Sequence, residues 1–292
     1  MPFLYLKGDL TLSYNDTSLE PFVYWLIEQQ KSKRTIQTYL GVLEKFKEWI
    51  RTINGPSLQH INRGHIQSYM DFLEKEQKSA GTIDKNYAAI SVFTRFLGKP
   101  GLMLNITRKA KLKNDEIPNS LKKCEKDSLL KMVEADGNLR NIAIVYTLLQ
   151  TGIRVSELCS LNNCDVEIGK KEGKVNVRNE EGKIDRIVPL SKEVREHLEN
   201  YLDSLNNEEP GDALFVSSLK KRMTTRSVQY MLKKYNVNPH KLRHTFCQEL
   251  VNNGIDIRIV AKLAGHRDIN ITKRYSRNHE ADLMKAIDKT FA

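Results

Sequence analysis

The chain has 292 residues, longer than the ~100 to 200 of a typical single core, so two domains are expected. Hydrophobic residues make up 40% and charged residues 28%, which suits a globular protein, and no run of ~18 apolar residues is present to span a bilayer, which excludes a helical membrane protein. The formal net charge of +11, with a pI near 9.3, favours a polyanionic partner, but charge alone leaves DNA, RNA, anionic lipid and no specific partner all open.

The excess is uneven: residues 1–113 hold 17 basic and 10 acidic side chains, and residues 114–292 hold 30 and 26. The start, Met1-Pro2-Phe3-Leu4-Tyr5-Leu6-Lys7, has no basic region ahead of a long apolar core, so no secretory leader is expected. Cys124, Cys159, Cys164 and Cys247 lack any C-x-x-C spacing and read as free thiols of a reducing cytoplasm rather than as disulfides or zinc ligands.

In chain order, apolar residues recur at helical spacing over residues 18–30 and 35–53, the second run being Ile36, Tyr39, Leu40, Leu43, Phe46 and Ile50. Further helices are predicted from after Asn62 to about Gln77 and over residues 79–97, separated by turn signals such as Asn54-Gly55-Pro56. The first domain is thus a helical bundle, residues 1–99. Lys31, Lys33, Arg34, Lys45, Lys47, Arg95 and Lys99 are spread over its polar faces, by default a solvated surface. Gly98-Lys99-Pro100-Gly101 breaks the pattern, and residues 100–121 read as a basic interdomain linker, either a passive tether or a strand lying along a nucleic-acid backbone.

Residues 122–292 form the second domain. Helices are predicted at 125–136 and 139–151, then alternation at 174–178 and 185–189 around Asn179-Glu180-Glu181-Gly182 reads as an antiparallel hairpin. Helices resume at 192–205, 225–235, 239–252, 256–263, 268–275 and 280–289. The fold class is mainly α with a small antiparallel β-sheet in the C-terminal domain.

Four polar clusters stand out. In Leu263-Ala264-Gly265-His266-Arg267-Asp268, Gly265 reads as a helix stop and Asp268 as an N-cap, with Tyr275 nine residues after His266; the pair is either helix punctuation with a packing ring or an imidazole and a phenol meeting one phosphate. Arg154, among apolar neighbours, needs an anion, which Glu157 three residues on or a ligand would supply. Asn238 and Pro239 mark a capped helix start, placing His240 in the first turn, where free N–H groups favour phosphate, with Arg243 on the same face. Lys183 lies in or just after the hairpin turn, where a lysine is ordinarily only solubilising.

The ordered set of Arg154 in T-G-I-R-V-S-E-L, a hairpin lysine, H-x-x-R, then Gly265-His266 followed by Tyr275 resembles the tyrosine recombinase family, which includes phage integrases and bacterial Xer recombinases. The resemblance covers nearly the whole chain, including Thr35-Ile36-Gln37-Thr38-Tyr39 in a helical, SAM-like core-binding domain. It implies a two-domain, C-shaped clamp around double-stranded DNA at a specific recombination site, and a cytoplasmic, nucleoid-associated enzyme with neither membrane nor cofactor. In that reading Tyr275 attacks a phosphodiester to form a 3′-phosphotyrosyl link, Arg154 and Arg243 stabilise the charge, His240 is general base and His266 a hydrogen-bond donor. No metal is required, because the two arginines supply the electrostatic stabilisation that metal ions supply in many nucleases, and no ATP, because one phosphodiester replaces another.

Lys183 is the implied general acid, although relatives place a lysine about eight residues ahead of the proline, where this chain has Glu181; Lys174 and Arg178 are the alternatives. Glu157 would orient Arg154, and the apolar stripe Leu283, Met284 and Ile287 would dock into a neighbouring protomer of a homo-tetramer. The expected outcome is resolution of dimers or cointegrates or movement of a mobile element, and the compact length leans to resolution. A phage-type integrase is the alternative; a monomeric type IB topoisomerase or a non-catalytic DNA-binding module fits less well.

Overall fold

The computed structural model describes residues 17–108, 119–205 and 212–275. The chain divides into two compact units, Met1–Asn114 and Asp115–Ala292.

In the first unit a 3-10 turn at Thr17–Leu19 leads into α1 (Glu20–Glu28), followed by α2 (Lys33–Thr52), α3 (Arg63–Lys75) and α4 (Ala80–Phe96). Each long helix starts where a polar side chain takes an orphan N–H: Ser32 accepts from Thr35 at 3.2 Å, Asn62 from His65 at 3.0 Å and Ser79 from Thr82 at 3.2 Å. Their apolar stripes meet at Phe22, Leu43, Phe46, Ile66, Met70, Ile90 and Phe93, all buried, with Phe22 and Phe93 edge to face at 5.2 Å. Asn86 is buried among them and satisfied, donating to the Thr82 carbonyl and accepting from the Tyr69 hydroxyl.

The break at Gly98-Lys99-Pro100-Gly101 is not a departure from this unit. It turns into a 3-10 helix, Pro100–Met103, and both Met103 and Ile106 are buried in the same core. Gln67 brackets Thr107 through two hydrogen bonds, and Arg108 pairs with Asp84 at 2.8 Å while lying 3.6 Å over the Tyr87 ring. Proline and glycine end the helix, yet the apolar residues beyond them still hold the chain down through residue 108. The remainder of the predicted linker lies largely outside the described residues.

The second unit contains α5 (Lys123–Ala135), α6 (Leu139–Thr151), α7 (Val155–Ser160), α8 (Lys192–Asp203), α9 (Thr225–Lys233), α10 (Pro239–Asn252), α11 (Ile257–Ala264) and α12 (Ile269–Lys273). α6 is buried from Asn141 to Leu149, the expected fate of a helix apolar on all sides, and packs chiefly against α8 and α10. Between α7 and α8 lie β1 (Val166–Ile168), β2 (Gly173–Arg178) and β3 (Ile184–Pro189), an antiparallel sheet in that order. The hairpin is the predicted one. β1 adds a strand too short for alternation to reveal.

Val175 faces Val188 and Val177 faces Arg186, but Arg178 faces Ile184, so Asp185 is an extra residue that forms a β-bulge. The architecture is mainly α with a small antiparallel sheet, as expected. α12 ends before Tyr275, two residues short of the predicted helix, and the predicted segment 280–289 lies outside the described residues. Among the described residues, no helix is long and apolar enough to cross a membrane, and the four cysteines are free thiols.

Candidate active site

The site is assembled from three helix boundaries and one strand. α6 stops at Gly152, whose φ of 62° closes the helix in the left-handed region. A side chain there is excluded twice over, because an added Cβ would sit 2.2 Å from Phe246 Cδ1. Two residues on, Arg154 caps α7. Its backbone N–H donates to Glu157 Oε2 at 2.6 Å, its Nη1 to Glu157 Oε1 at 2.8 Å and its Nη2 to the Gly265 carbonyl at 2.6 Å. Both anions weighed for Arg154 remain in play: Glu157 holds one side, and the side chain stays 43% exposed.

α10 begins as predicted, with Asn238 accepting from the Lys241 N–H at 2.9 Å and Pro239 opening the first turn. His240 follows and is exposed. Arg243, only 7% exposed, donates from Nη1 to the Gly152 carbonyl at 2.6 Å. Burial, then the neighbouring Arg154, press its pKa down, yet a guanidinium remains charged under ordinary conditions.

α11 ends at Gly265 in the left-handed region, φ 68°, and Asp268 caps α12, as the punctuation predicts. His266 sits between them, its N–H on the Ala261 carbonyl and its Nδ1 2.8 Å from the hydroxyl of buried Thr272. Burial, reinforced by Arg243, Arg154, His244 and Arg186, pulls the His266 pKa down to about 4. The imidazole is therefore neutral near pH 7. In the tautomer whose Nδ1 accepts the Thr272 hydroxyl proton, Nε2 carries the ring proton and is the donor.

Tyr275 is 1% exposed, packed with Phe246, Cys247, Val260 and Ala264, and its hydroxyl lies 2.6 Å from His244 Nδ1. Burial and the Cys247 thiol raise the phenol above its usual range. Lys183 occupies the hairpin turn, 78% exposed and paired with Glu181 at 3.1 Å. The structure thus gathers Arg154, Arg243 and His266 around two glycine carbonyls. It sets Tyr275 against α10 through His244, one turn after His240, and leaves Lys183 on the hairpin tip.

Two residues of this cluster escaped the sequence reading. His244 follows Arg243 directly, and the H-x-x-R-H run places it four residues after His240 on one helix face. Burial, then His240, Arg243 and Arg274, lower its pKa to about 4. Arg186 is the inward-facing residue of β3 in phase with Val188, a charge at an apolar register position. It donates to both oxygens of Glu157, at 3.0 and 2.8 Å, and from Nε to the Leu263 carbonyl at 2.8 Å. Burial raises the Glu157 carboxyl, but the bonds and charge of Arg186 and Arg154 outweigh it and hold the group ionised.

The depressed histidines predict an acid-sensitive fold. Between pH 6.5 and about 4 the unfolded chain binds protons that the native imidazoles refuse, so the contribution of these two histidines to stability falls as pH drops through that window and is constant below it, where loss of the Glu157 carboxylate takes over. Urea midpoints taken at both ends of the window measure the loss. His244→Asn is expected to shrink it, and an unchanged pH slope in that variant would remove His244 from the account.

Buried Arg243 and Arg186 and half-exposed Arg154 thus converge on helix-end carbonyls beside a neutral histidine, on a mainly helical unit with a three-stranded sheet and a tyrosine just downstream. Residues 112–282 match the phage integrase family model, and residues 19–101 match the phage integrase N-terminal SAM-like domain. A tyrosine recombinase XerA from Pyrococcus horikoshii is 33% identical over 288 residues, covering 94% of each chain. The crystal structure of a XerA recombinase, 28% identical, aligns with a TM-score of 0.52 over 94% of this chain and 98% of that one. The Tn1549 transposon integrase in complex with circular intermediate DNA shares the fold, with a TM-score of 0.70 over 93% and 98% at 20% identity. The chain belongs to the phage integrase family of tyrosine recombinases, site-specific recombinases that cleave and rejoin DNA.

Proposed function

We propose that this recombinase attacks a scissile phosphate of double-stranded DNA with the phenol oxygen of Tyr275. The new P–O bond to tyrosine forms as the P–O5′ bond breaks, leaving a 3′-phosphotyrosyl link and a free 5′-hydroxyl. His240 takes the phenol proton, Lys183 gives a proton to the departing 5′ oxygen, and His266 donates a hydrogen bond to the phosphate. Arg154 and Arg243 stabilise the charge on the non-bridging oxygens. One phosphodiester replaces another, so ATP is not consumed, and attack by a different 5′-hydroxyl completes strand exchange.

The observation that carries this reading is the pair of glycine carbonyls. Gly152 holds Arg243 two residues from Arg154, and Gly265 holds Arg154 one residue from His266. Three phosphate-binding groups from α7, α10 and the α11–α12 turn are thereby fixed before any ligand arrives, the preorganisation on which electrostatic catalysis depends. Arg154, Arg186 and Arg243 have Glu157 as their common acidic neighbour and Arg186 has Asp185 besides, and the positive charge still in surplus suits a phosphate.

For the general acid, Arg178 is committed to buried Asp165 and the Gly182 carbonyl, and Lys174 pairs with Glu167 across β1 and β2. Lys183 is held only by an exposed pair with Glu181, worth little and easily exchanged for a phosphate oxygen. In the first unit a cavity of about 290 Å³ between α2, α3 and α4 is lined by Lys45, Lys78 and Lys85, with Gln37, Thr38 and Thr82. These supply contacts to the DNA backbone. A homo-tetramer on two sites, joined through the C-terminal segment, completes the proposal, with resolution of dimers or cointegrates or movement of a mobile element as its outcome.

The test is incubation of the chain with nicked suicide duplexes selected for binding from a random pool, followed by SDS gel analysis and peptide mapping of the adduct. A nucleotide mass on the peptide containing Tyr275 supports the reading; an adduct on another residue sinks it. Lys183→Ala is expected to slow cleavage of an ordinary phosphodiester, and a 5′-bridging phosphorothiolate, whose leaving group needs no proton, restores the rate. A variant slowed equally on both substrates would take the acid role from Lys183.

A further inference from the structure

We propose that Arg186 is a positioning residue of the recombination chemistry, one that keeps the Arg154 guanidinium available to the scissile phosphate by occupying Glu157. The inference rests on the role proposed above for Arg154. Arg186 lies on β3 with its side chain only 4% exposed. Every nitrogen of its guanidinium is committed: Nη2 and Nη1 to the two oxygens of Glu157, Nη1 also to Asp185 at 3.3 Å, and Nε to the Leu263 carbonyl. A planar, two-point grip of this kind is what a guanidinium provides and an ammonium does not.

Glu157 serves two masters. Oε1 receives Arg154 Nη1 and Arg186 Nη1, and Oε2 receives the Arg154 backbone N–H and Arg186 Nη2. Because Arg186 takes the two-point position, Arg154 meets the carboxylate with a single guanidinium nitrogen and spends the other on Gly265. Without Arg186 the carboxylate is free to draw Arg154 into a closed, two-point pair, turning a phosphate ligand into half of an internal salt bridge. The same guanidinium lies against the backbone that precedes His266: a Cβ on Gly265 would be 2.5 Å from Arg186 Nη1. β3 thus sets the α7 arginine and the turn of His266 at once, three residues along the chain from Lys183.

A packing role and a positioning role separate in Arg186→Met, which keeps much of the buried volume and removes the grip. Single-turnover cleavage is measured on a normal duplex and on one whose scissile phosphate is a methylphosphonate, which lacks the charge that Arg154 would neutralise. Arg154→Ala is the reference. The expected result is wild-type duplex binding and cleavage of the normal substrate slower on the order of 10- to 100-fold in Arg186→Met. Both variants recover on the methylphosphonate. If Arg154→Ala recovers and Arg186→Met does not, or if Arg186→Met cleaves the normal duplex at the wild-type rate, the inference is overturned. If Arg154→Ala itself fails to recover, the Arg154 reading falls instead. Arg186→Lys, which keeps the charge and one bond, is judged by the same ratio should the methionine variant not fold.

Discussion

Tyr275→Phe will bind its duplex as the wild type does and give no covalent protein–DNA band on an SDS gel. The expected loss is complete because no other group replaces the attacking oxygen. The same substitution has a second, structural signature. The phenol is buried and bonded to His244, so its removal leaves a half-buried imidazole nitrogen without that partner and costs about 1 to 2 kcal/mol in chemical denaturation. In this conformation Tyr275, the proposed nucleophile, is covered by Phe246, Cys247, Val260 and Ala264. On that proposal cleavage requires Tyr275 to leave the nook, and this step belongs to the measured rate. An adduct formed as well by Tyr275→Phe would refute the assignment.

Arg243→Met is expected to separate activity from stability. The guanidinium is 7% exposed, its acceptor is the Gly152 carbonyl, and Arg154 and Arg186 add like charge nearby. Replacing a poorly compensated buried cation by an apolar chain of similar length is often neutral or stabilising, by up to a few kcal/mol, against about 1 kcal/mol for the unpaired carbonyl. Cleavage should fall by roughly 10²- to 10³-fold, the typical effect of removing one preorganised donor. Urea denaturation and single-turnover cleavage of the suicide duplex read the two quantities separately. A variant several kcal/mol less stable that cleaves within about tenfold of wild type would make Arg243 a structural residue.

Much of this was legible where the cause is local. Asn238 and Pro239 open α10, Gly152 and Gly265 close helices, and Asp268 starts another because capping depends on a few neighbouring residues. Arg154 with Glu157 was readable as an i, i+3 pair for the same reason. What escaped depends on distant partners. The arginine at 186 matters only because α7 and the end of α11 meet β3, contacts 29 and 77 residues away in the chain. Nothing in the spacing of His266 and Tyr275 indicated that the phenol turns onto His244. Pro100 and Gly101 signalled a break correctly, but punctuation says nothing about whether Met103 and Ile106 find a core.

The bulge at Asp185 bears on how such a sheet tolerates change. In a regular ladder, adding or losing one residue inverts every side chain beyond it, so the inward phase of Arg186 and Val188 would be hostage to the length of the turn. The extra residue at Asp185 already breaks step between the tip and the strand. Length drift between Arg178 and Asp185 is thereby absorbed as slack. A change in the length of the tip that carries Lys183 is then no disturbance to Arg186 three residues later: the tip can be rewritten while the frame of the site stays in register.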